Sequence, residues 1–131
     1  MAHILVIDDD DLLRDFVAQL LRRAGYDVTA LGDSTKADAE MQRGRFDAVL
    51  TDLYMPGRDG IEILGIVSQL APETPVIVMT GSRDGPSTRL LMLLGAFAVL
   101  QKPFATTVLL ATVQSALAGR RACLPYSGFG S

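Results

Sequence analysis

Short, unbroken apolar runs alternate with longer stretches of helical spacing along this chain, and that alternation restricts the fold more than any other feature. The run His3-Ile4-Leu5-Val6-Ile7 is continuously apolar after its first residue, the pattern of a strand covered on both faces. Over residues 11–24, Leu13, Phe16, Val17, Leu20 and Leu21 recur at helical spacing, and Gly25 closes the segment. The unit then recurs. Residues 27–31 read as a weak strand, and Ser34 is placed to cap a helix running to residue 43, stopped by Gly44. Residues 48–51 form the next strand, Pro56-Gly57 and Asp59-Gly60 a loop, and residues 61–70 a helix. Pro75 opens a strand over 76–79, Gly85-Pro86 starts a short helix that Gly95 ends, and residues 97–100 make the fifth strand. The last helix spans 106–118, with Val108, Leu109, Val113 and Leu117 turned inward. Five strand–helix units predict an α/β fold of (βα)5 type, a doubly wound five-stranded parallel sheet with helices on both faces.

The length of 131 residues suits one domain, large enough to bury a core without disulfides or a structural metal. A net charge of −3 argues against a direct nucleic-acid partner. One cysteine, Cys123, and one histidine, His3, exclude an internal disulfide and a zinc site of such ligands, and a lone thiol suits a reducing compartment. The first apolar run is too short for a secretory signal. The longest, over 90–100, falls short of the roughly 20 residues that span a bilayer. The expectation is a cytoplasmic protein with no membrane partner, with Met1 as a true N-terminus. Its folded domain is expected over 1–118, and the glycine-containing stretch 119–131 as a flexible tail.

In a parallel α/β sheet the strand C-termini share one edge, where ligands bind. Asp8 and Asp9 follow the first strand, Asp52 the third, Thr80 with Gly81 and Ser82 the fourth, and Lys102 with Pro103 the fifth. Three carboxylates, a hydroxyl and an ammonium thus converge on one rim. Crowded carboxylates repel unless a hard cation intervenes, and an all-oxygen site suits magnesium together with a phosphate. A lysine there can neutralise phosphoryl oxygens, and a carboxylate can itself be the nucleophile, giving an aspartyl phosphate. Asp10 and Asp11 have a plainer role at the start of the first helix, as its cap and its N-terminal negative charge. Phosphoryl transfer to an aspartate is the chemistry this rim fits.

These residues resemble the receiver domain of two-component response regulators, the CheY-like or flavodoxin-like arrangement. The matching pieces are Val6-Ile7-Asp8-Asp9, Thr51-Asp52-Leu53-Tyr54-Met55-Pro56-Gly57 with Asp59-Gly60, Met79-Thr80-Gly81, and Lys102-Pro103-Phe104. They stand in the family's order and spacing over residues 3–118. The resemblance implies strand order 2-1-3-4-5. It implies Asp52 as phosphoacceptor and a Mg2+ ion on Asp9, Asp52 and the Tyr54 carbonyl, with Asp8 acting through water. It further implies Thr80 and Lys102 on phosphoryl oxygens, Thr80 moving on activation, and a cis bond before Pro103. There is one departure. The family's usual Tyr or Phe three residues before the lysine is Val99 here, so its usual switch side chain is missing, and Phe97 does not match the motif. Tyr54 stands beside the approach of a hydrolytic water, and its bulk is expected to slow loss of the phosphoryl group.

Leu90-Leu91-Met92-Leu93-Leu94 steps around more than a full helical turn, so some of these residues are expected on the surface. With Val99 they fall where receivers make their output contacts, on the fourth helix, fifth strand and fifth helix. Leu90, Leu91 and Leu94 are therefore expected in a contact with a downstream protein or a second copy. The resemblance implies a histidine kinase or histidine phosphotransfer protein as donor, docking on the first helix. Arg14, Arg22 and Arg23 there read as a solvated face. Cys123 reads as an incidental exposed thiol, and Arg120 and Arg121 are too few for a nucleic-acid patch. The expected function is a signalling switch rather than an enzyme, either a single-domain regulator or a receiver from a larger DNA-binding or hybrid-kinase protein. A magnesium-dependent phosphatase with an aspartate nucleophile is the alternative, and Asp8-Asp9-Asp10 contains its Asp-x-Asp, but the chain is too short for a cap domain. A flavin carrier would need a hydroxyl- and glycine-rich phosphate loop where four aspartates stand.

Overall fold

The computed structural model describes residues 1–81 and 85–126, with side chains through residue 119. Five strands, β1 (His3–Ile7), β2 (Asp27–Leu31), β3 (Ala48–Asp52), β4 (Val76–Thr80) and β5 (Ala98–Gln101), form one parallel sheet in the order β2-β1-β3-β4-β5. Each is followed by a helix: α1 (Asp11–Arg23), α2 (Ala37–Arg43), α3 (Gly60–Leu70), α4 (Thr88–Leu93) and α5 (Thr106–Tyr126). Ile4, Leu5, Val6 and Ile7 are all fully buried, because alternate side chains enter opposite layers. Leu5, Ile7, Val49 and Val78 pack with Met41 of α2, Ile63 and Val67 of α3, and Leu91 of α4. Ile4, Val6, Leu50 and Ile77 pack with Val17 and Leu21 of α1 and with Leu109, Val113 and Ala116 of α5. The sheet is thus covered on both faces, as its unbroken apolar strands require.

Several expectations are corrected. Ser34 does not cap α2. A 3-10 turn, Ser34–Lys36, precedes that helix, and Asp33 caps the turn by accepting from the Thr35 N–H at 3.0 Å. Ser34 is instead buried, donating to the Pro56 carbonyl at 3.0 Å and accepting from the Arg58 N–H at 2.9 Å. The leucine-rich helix begins at Thr88, not at Pro86, because the Ser87 hydroxyl accepts from the Leu90 N–H at 3.1 Å and sets its first turn. Gly95, at φ 115°, follows its end. Leu91 is fully buried, so it is not a surface contact, whereas Leu93 is 76% exposed. In α5, Val108 faces outward and Ala116 takes the inward position. That helix continues past Ala118 to Tyr126. Gly119 costs only about 1 kcal/mol in a helix, and the arginine and alanine residues after it are good helix formers. Residues 127–131, Ser82, and the side chains of Arg120, Arg121 and Cys123 lie outside the described residues.

Candidate functional site

The parallel order brings the C-terminal ends of β1, β3, β4 and β5 together, and each delivers one part of the acidic rim. Asp8 follows β1 and is fully buried. Its Oδ1 accepts from the Asp10 N–H at 3.0 Å. Its Oδ2 is buried with no hydrogen-bond partner among the described residues, and the nearest cation, Lys102 Nζ, stands 3.7 Å away. Burial pushes the Asp8 carboxyl above its ordinary pKa. The Asp10 N–H and Lys102 oppose that push, and the Asp52 charge adds to it. Asp9 is exposed, and its carboxylate makes no hydrogen bond or ion pair among the described residues. One carboxylate oxygen from each of Asp8, Asp9 and Asp52 lies within 4.8 Å of the others.

Asp52 closes β3 and is the only one of the three tied at a single oxygen from two directions. Its Oδ1 accepts from the Leu53 N–H at 2.9 Å and from Lys102 Nζ at 3.0 Å. Its other oxygen carries no bond among the described residues. The start of α3 locks the backbone behind it. The Gly60 N–H donates to the Leu53 carbonyl at 2.7 Å, and a Cβ at Gly60 would lie 2.8 Å from the Asp52 carbonyl oxygen, so only glycine allows this approach. Asp59 caps the same helix through a reciprocal capping box with Glu62. Across the sheet, the Lys102 N–H donates to the Thr80 carbonyl at 2.8 Å, which registers the lysine just past β5 against the buried threonine that ends β4. The Lys102–Pro103 bond is cis, as expected.

A buried carboxylate oxygen with no partner is costly, and three carboxylates around one space repel. An oxygen-ligated divalent cation would remove both costs, so the donor set fits Mg2+, which typically takes one or two carboxylates and keeps waters or phosphate oxygens. The geometry also sets the Asp52 carboxylate beside a fixed ammonium, an arrangement that a carboxylate nucleophile would use.

The response regulator receiver domain family matches residues 4–114. The chain belongs to that family. FixJ, a transcriptional regulatory protein of Bradyrhizobium diazoefficiens, is 39% identical over 115 residues, covering 88% of this chain and 56% of FixJ. This receiver therefore spans about half the length of that relative. A receiver domain protein from Clostridium thermocellum superposes with a TM-score of 0.88 at 30% identity, over 95% of this chain and all of that one. TrrA of Thermotoga maritima, solved with Mg2+ and BeF, gives a TM-score of 0.81 at 26% identity, over 89% of this chain and 100% of that one. Receiver domains take part in two-component signalling, and this chain is one of them.

The remaining expected residues are dispersed as follows. Asp10 caps α1, accepting from the Leu12 and Leu13 N–H groups, and Asp11 pairs with Arg14. Tyr54 is half-exposed in the loop after Asp52. Its hydroxyl lies so close to Gly85, ahead of α4, that a Cβ there would overlap it. Val99 is partly buried against the core under α2, α3 and α4. Leu90 and Leu94 are surface residues of the α4 region, as expected. Sequence reasoning missed Gly85 and Gly32, whose lack of a side chain has meaning only beside Tyr54 and Arg14, residues remote in sequence. It also placed Arg14 in solvent, whereas that side chain is 17% exposed and bonded to the Asp8 carbonyl. Among the described residues no helix is long and apolar enough to cross a membrane.

Proposed function

We propose that this receiver accepts a phosphoryl group on Asp52 and uses the modified state to change its protein contacts. The observation that supports this best is the asymmetry of the Asp52 carboxylate. One oxygen is held by the Leu53 N–H and Lys102, and the other is left open beside Asp8 and Asp9. The open oxygen attacks phosphorus, the bond from phosphorus to the donor nitrogen breaks, and that nitrogen leaves with the electron pair. Asp8, Asp9 and Asp52, with the Tyr54 carbonyl, are the residues that would hold Mg2+. When bound, the ion neutralises negative charge that builds on the transferring group. Lys102 supplies a second fixed positive charge and Thr80 a hydroxyl for the phosphoryl oxygens.

A histidine kinase or histidine phosphotransfer protein is the proposed donor, in the cytoplasm, and the protein acts as a phosphoacceptor rather than by turnover of a free substrate. The proposed output surface is α4, β5 and α5, toward a downstream protein or a second copy, with Leu90 and Leu94 exposed and Leu91 excluded by its burial. The receiver unit is proposed over residues 1–118, with α5 carrying the chain onward. Val99 cannot act as a swinging ring, so coupling here must run through other contacts. Tyr54 against Gly85 joins the loop after the acceptor to the segment before α4. Tyr54→Ala is expected to lose phosphate faster than the parent, followed by the decay of intact phosphoprotein mass with time. An unchanged half-life would remove that role.

The test of the main proposal is incubation with acetyl phosphate and Mg2+ followed promptly by intact mass. The expected result is one added phosphoryl group, absent in Asp52→Asn and without Mg2+. No adduct under any condition would leave a receiver fold without receiver chemistry.

A further inference from the structure

Among the described residues, Asp9 is the one rim carboxylate whose side chain makes no hydrogen bond or ion pair. Asp8 is buried and bonded to the Asp10 N–H, and Asp52 is bonded to Leu53 and Lys102. Asp9 is exposed with no bonded partner among the described residues, so the position of its carboxylate rests on the backbone on either side. That backbone is held at the two peptides that flank Asp8. The Asp8 N–H donates to the Leu31 carbonyl at 3.1 Å, and the Asp8 carbonyl accepts from Arg14 Nη1 at 2.9 Å. The second prong of the same guanidinium, Nη2, donates to Asp11 Oδ1 at 2.7 Å.

The Arg14 head reaches the Asp8 carbonyl because Gly32, just past β2, has no side chain. A Cβ at Gly32 would sit 2.6 Å from Nη1 and 3.1 Å from Cζ of Arg14. Gly32 is not among the glycines of positive φ, so the backbone there does not itself demand glycine. The feature that demands it is the space taken by the arginine. Asp11 is 82% exposed, and an exposed pair of this kind is worth only about 0.2–1 kcal/mol. The bond to the Asp8 carbonyl, made by a largely buried arginine, is the one with consequence.

We infer that Arg14 is a positioning residue for the cation site. Through the Asp8 carbonyl it orients the peptide that presents Asp9, and Gly32 provides its berth. This rests on the reading of Asp8, Asp9 and Asp52 as a Mg2+ site. Charge and geometry make opposite predictions. A guanidinium bonded to the Asp8 carbonyl adds positive charge on the side of the cation site, so Coulomb's law alone says that removing it tightens Mg2+ binding. Positioning says that removing it weakens binding, and residues that orient metal ligands typically cost about 10–100-fold in affinity when lost.

The experiment is calorimetric titration of the full chain with MgCl2, well below the melting temperature of each variant as measured in EDTA. Arg14→Ala is expected to bind Mg2+ at least tenfold more weakly than the parent. Gly32→Ala keeps the charge but displaces the guanidinium, so it is also expected to weaken binding. In the Arg14→Ala background, Gly32→Ala is expected to change nothing further. Equal or tighter binding by Arg14→Ala overturns the inference, as does a Gly32→Ala effect of the same size in both backgrounds. If Arg14→Ala does not fold, Gly32→Ala alone decides, unchanged affinity being the contrary result. A parent protein that takes up no Mg2+ overturns the metal reading and this inference together. A parent that binds beside variants that bind equally well overturns this inference only.

Discussion

The acidic rim and the α4 surface lie at neighbouring strand ends and are built in opposite ways. At the rim, every charged group but Asp9 is held by a bond to backbone or to another rim residue, and the backbone itself is pinned by close packing at Gly60 and by Arg14. At α4, a six-residue helix is held to the sheet by Leu91 alone among its buried residues, and Leu90, Met92, Leu93 and Leu94 face outward. Val99 beneath it fills space without a polar handle. Under the proposed function, the difference separates two requirements. Phosphoryl chemistry needs preorganised charge and tolerates little displacement. A surface that changes partners needs weak local packing, so that a small bias can shift its population.

Substitutions at each region sharpen this contrast. The largest effect is expected at the rim. Lys102→Ala removes the one cation bonded to Asp52 among the described residues and should slow phosphoryl uptake from acetyl phosphate by about 10²–10³-fold. The same variant should bind Mg2+ more tightly, since three carboxylates then lack their ammonium. A rate within a fewfold of the parent would break the claim that the rim is preorganised around it. Next is Leu91→Ala, which empties a fully buried position and should cost about 2–5 kcal/mol in urea unfolding. Its neighbour Leu93→Ser should fall within about 0.5 kcal/mol of the parent. Equal costs at the two positions would mean that α4 is not held by a single anchor.

Asp8 tests the electrostatic side. Its pKa is raised in the folded protein, so the fold binds its proton more strongly than the unfolded chain does. Its contribution to stability is present in full below the ordinary Asp value and is lost as pH rises through the raised one. Without Mg2+, Asp8→Asn should therefore raise the melting temperature at neutral pH and flatten its dependence on pH across that acidic window. With saturating Mg2+ the gain should shrink. A lower melting temperature in EDTA would show that the Asp8 charge is already satisfied within the protein.

Much of this was legible in the sequence, for identifiable reasons. The strands were readable because Ile4 to Ile7 and Val76 to Met79 are apolar without a break, and only a doubly covered sheet uses such runs. The rim was readable because Asp8, Asp52, Thr80 and Lys102 each stand at or just past the end of a strand, and parallel topology turns that linear fact into proximity. The limits of α4 were not readable, because five consecutive apolar residues have no period from which to tell Leu91 from Leu93. Ser34 was misplaced because a serine at that spacing reads as a cap, while its partners Pro56 and Arg58 lie more than twenty residues away. Arg14 was misplaced for the same reason, since the space at Gly32 that lets it turn inward belongs to another element.

The central claim is that Asp52, and no other carboxylate of the rim, takes the phosphoryl group. Borohydride reduces an acyl phosphate to the alcohol, so treatment of the Mg2+–acetyl phosphate product, followed by digestion and peptide sequencing in the mass spectrometer, marks the acceptor directly. The account predicts homoserine at position 52 alone. The mark at position 8 or 9, or an acid-stable phosphate elsewhere in the chain, would contradict it.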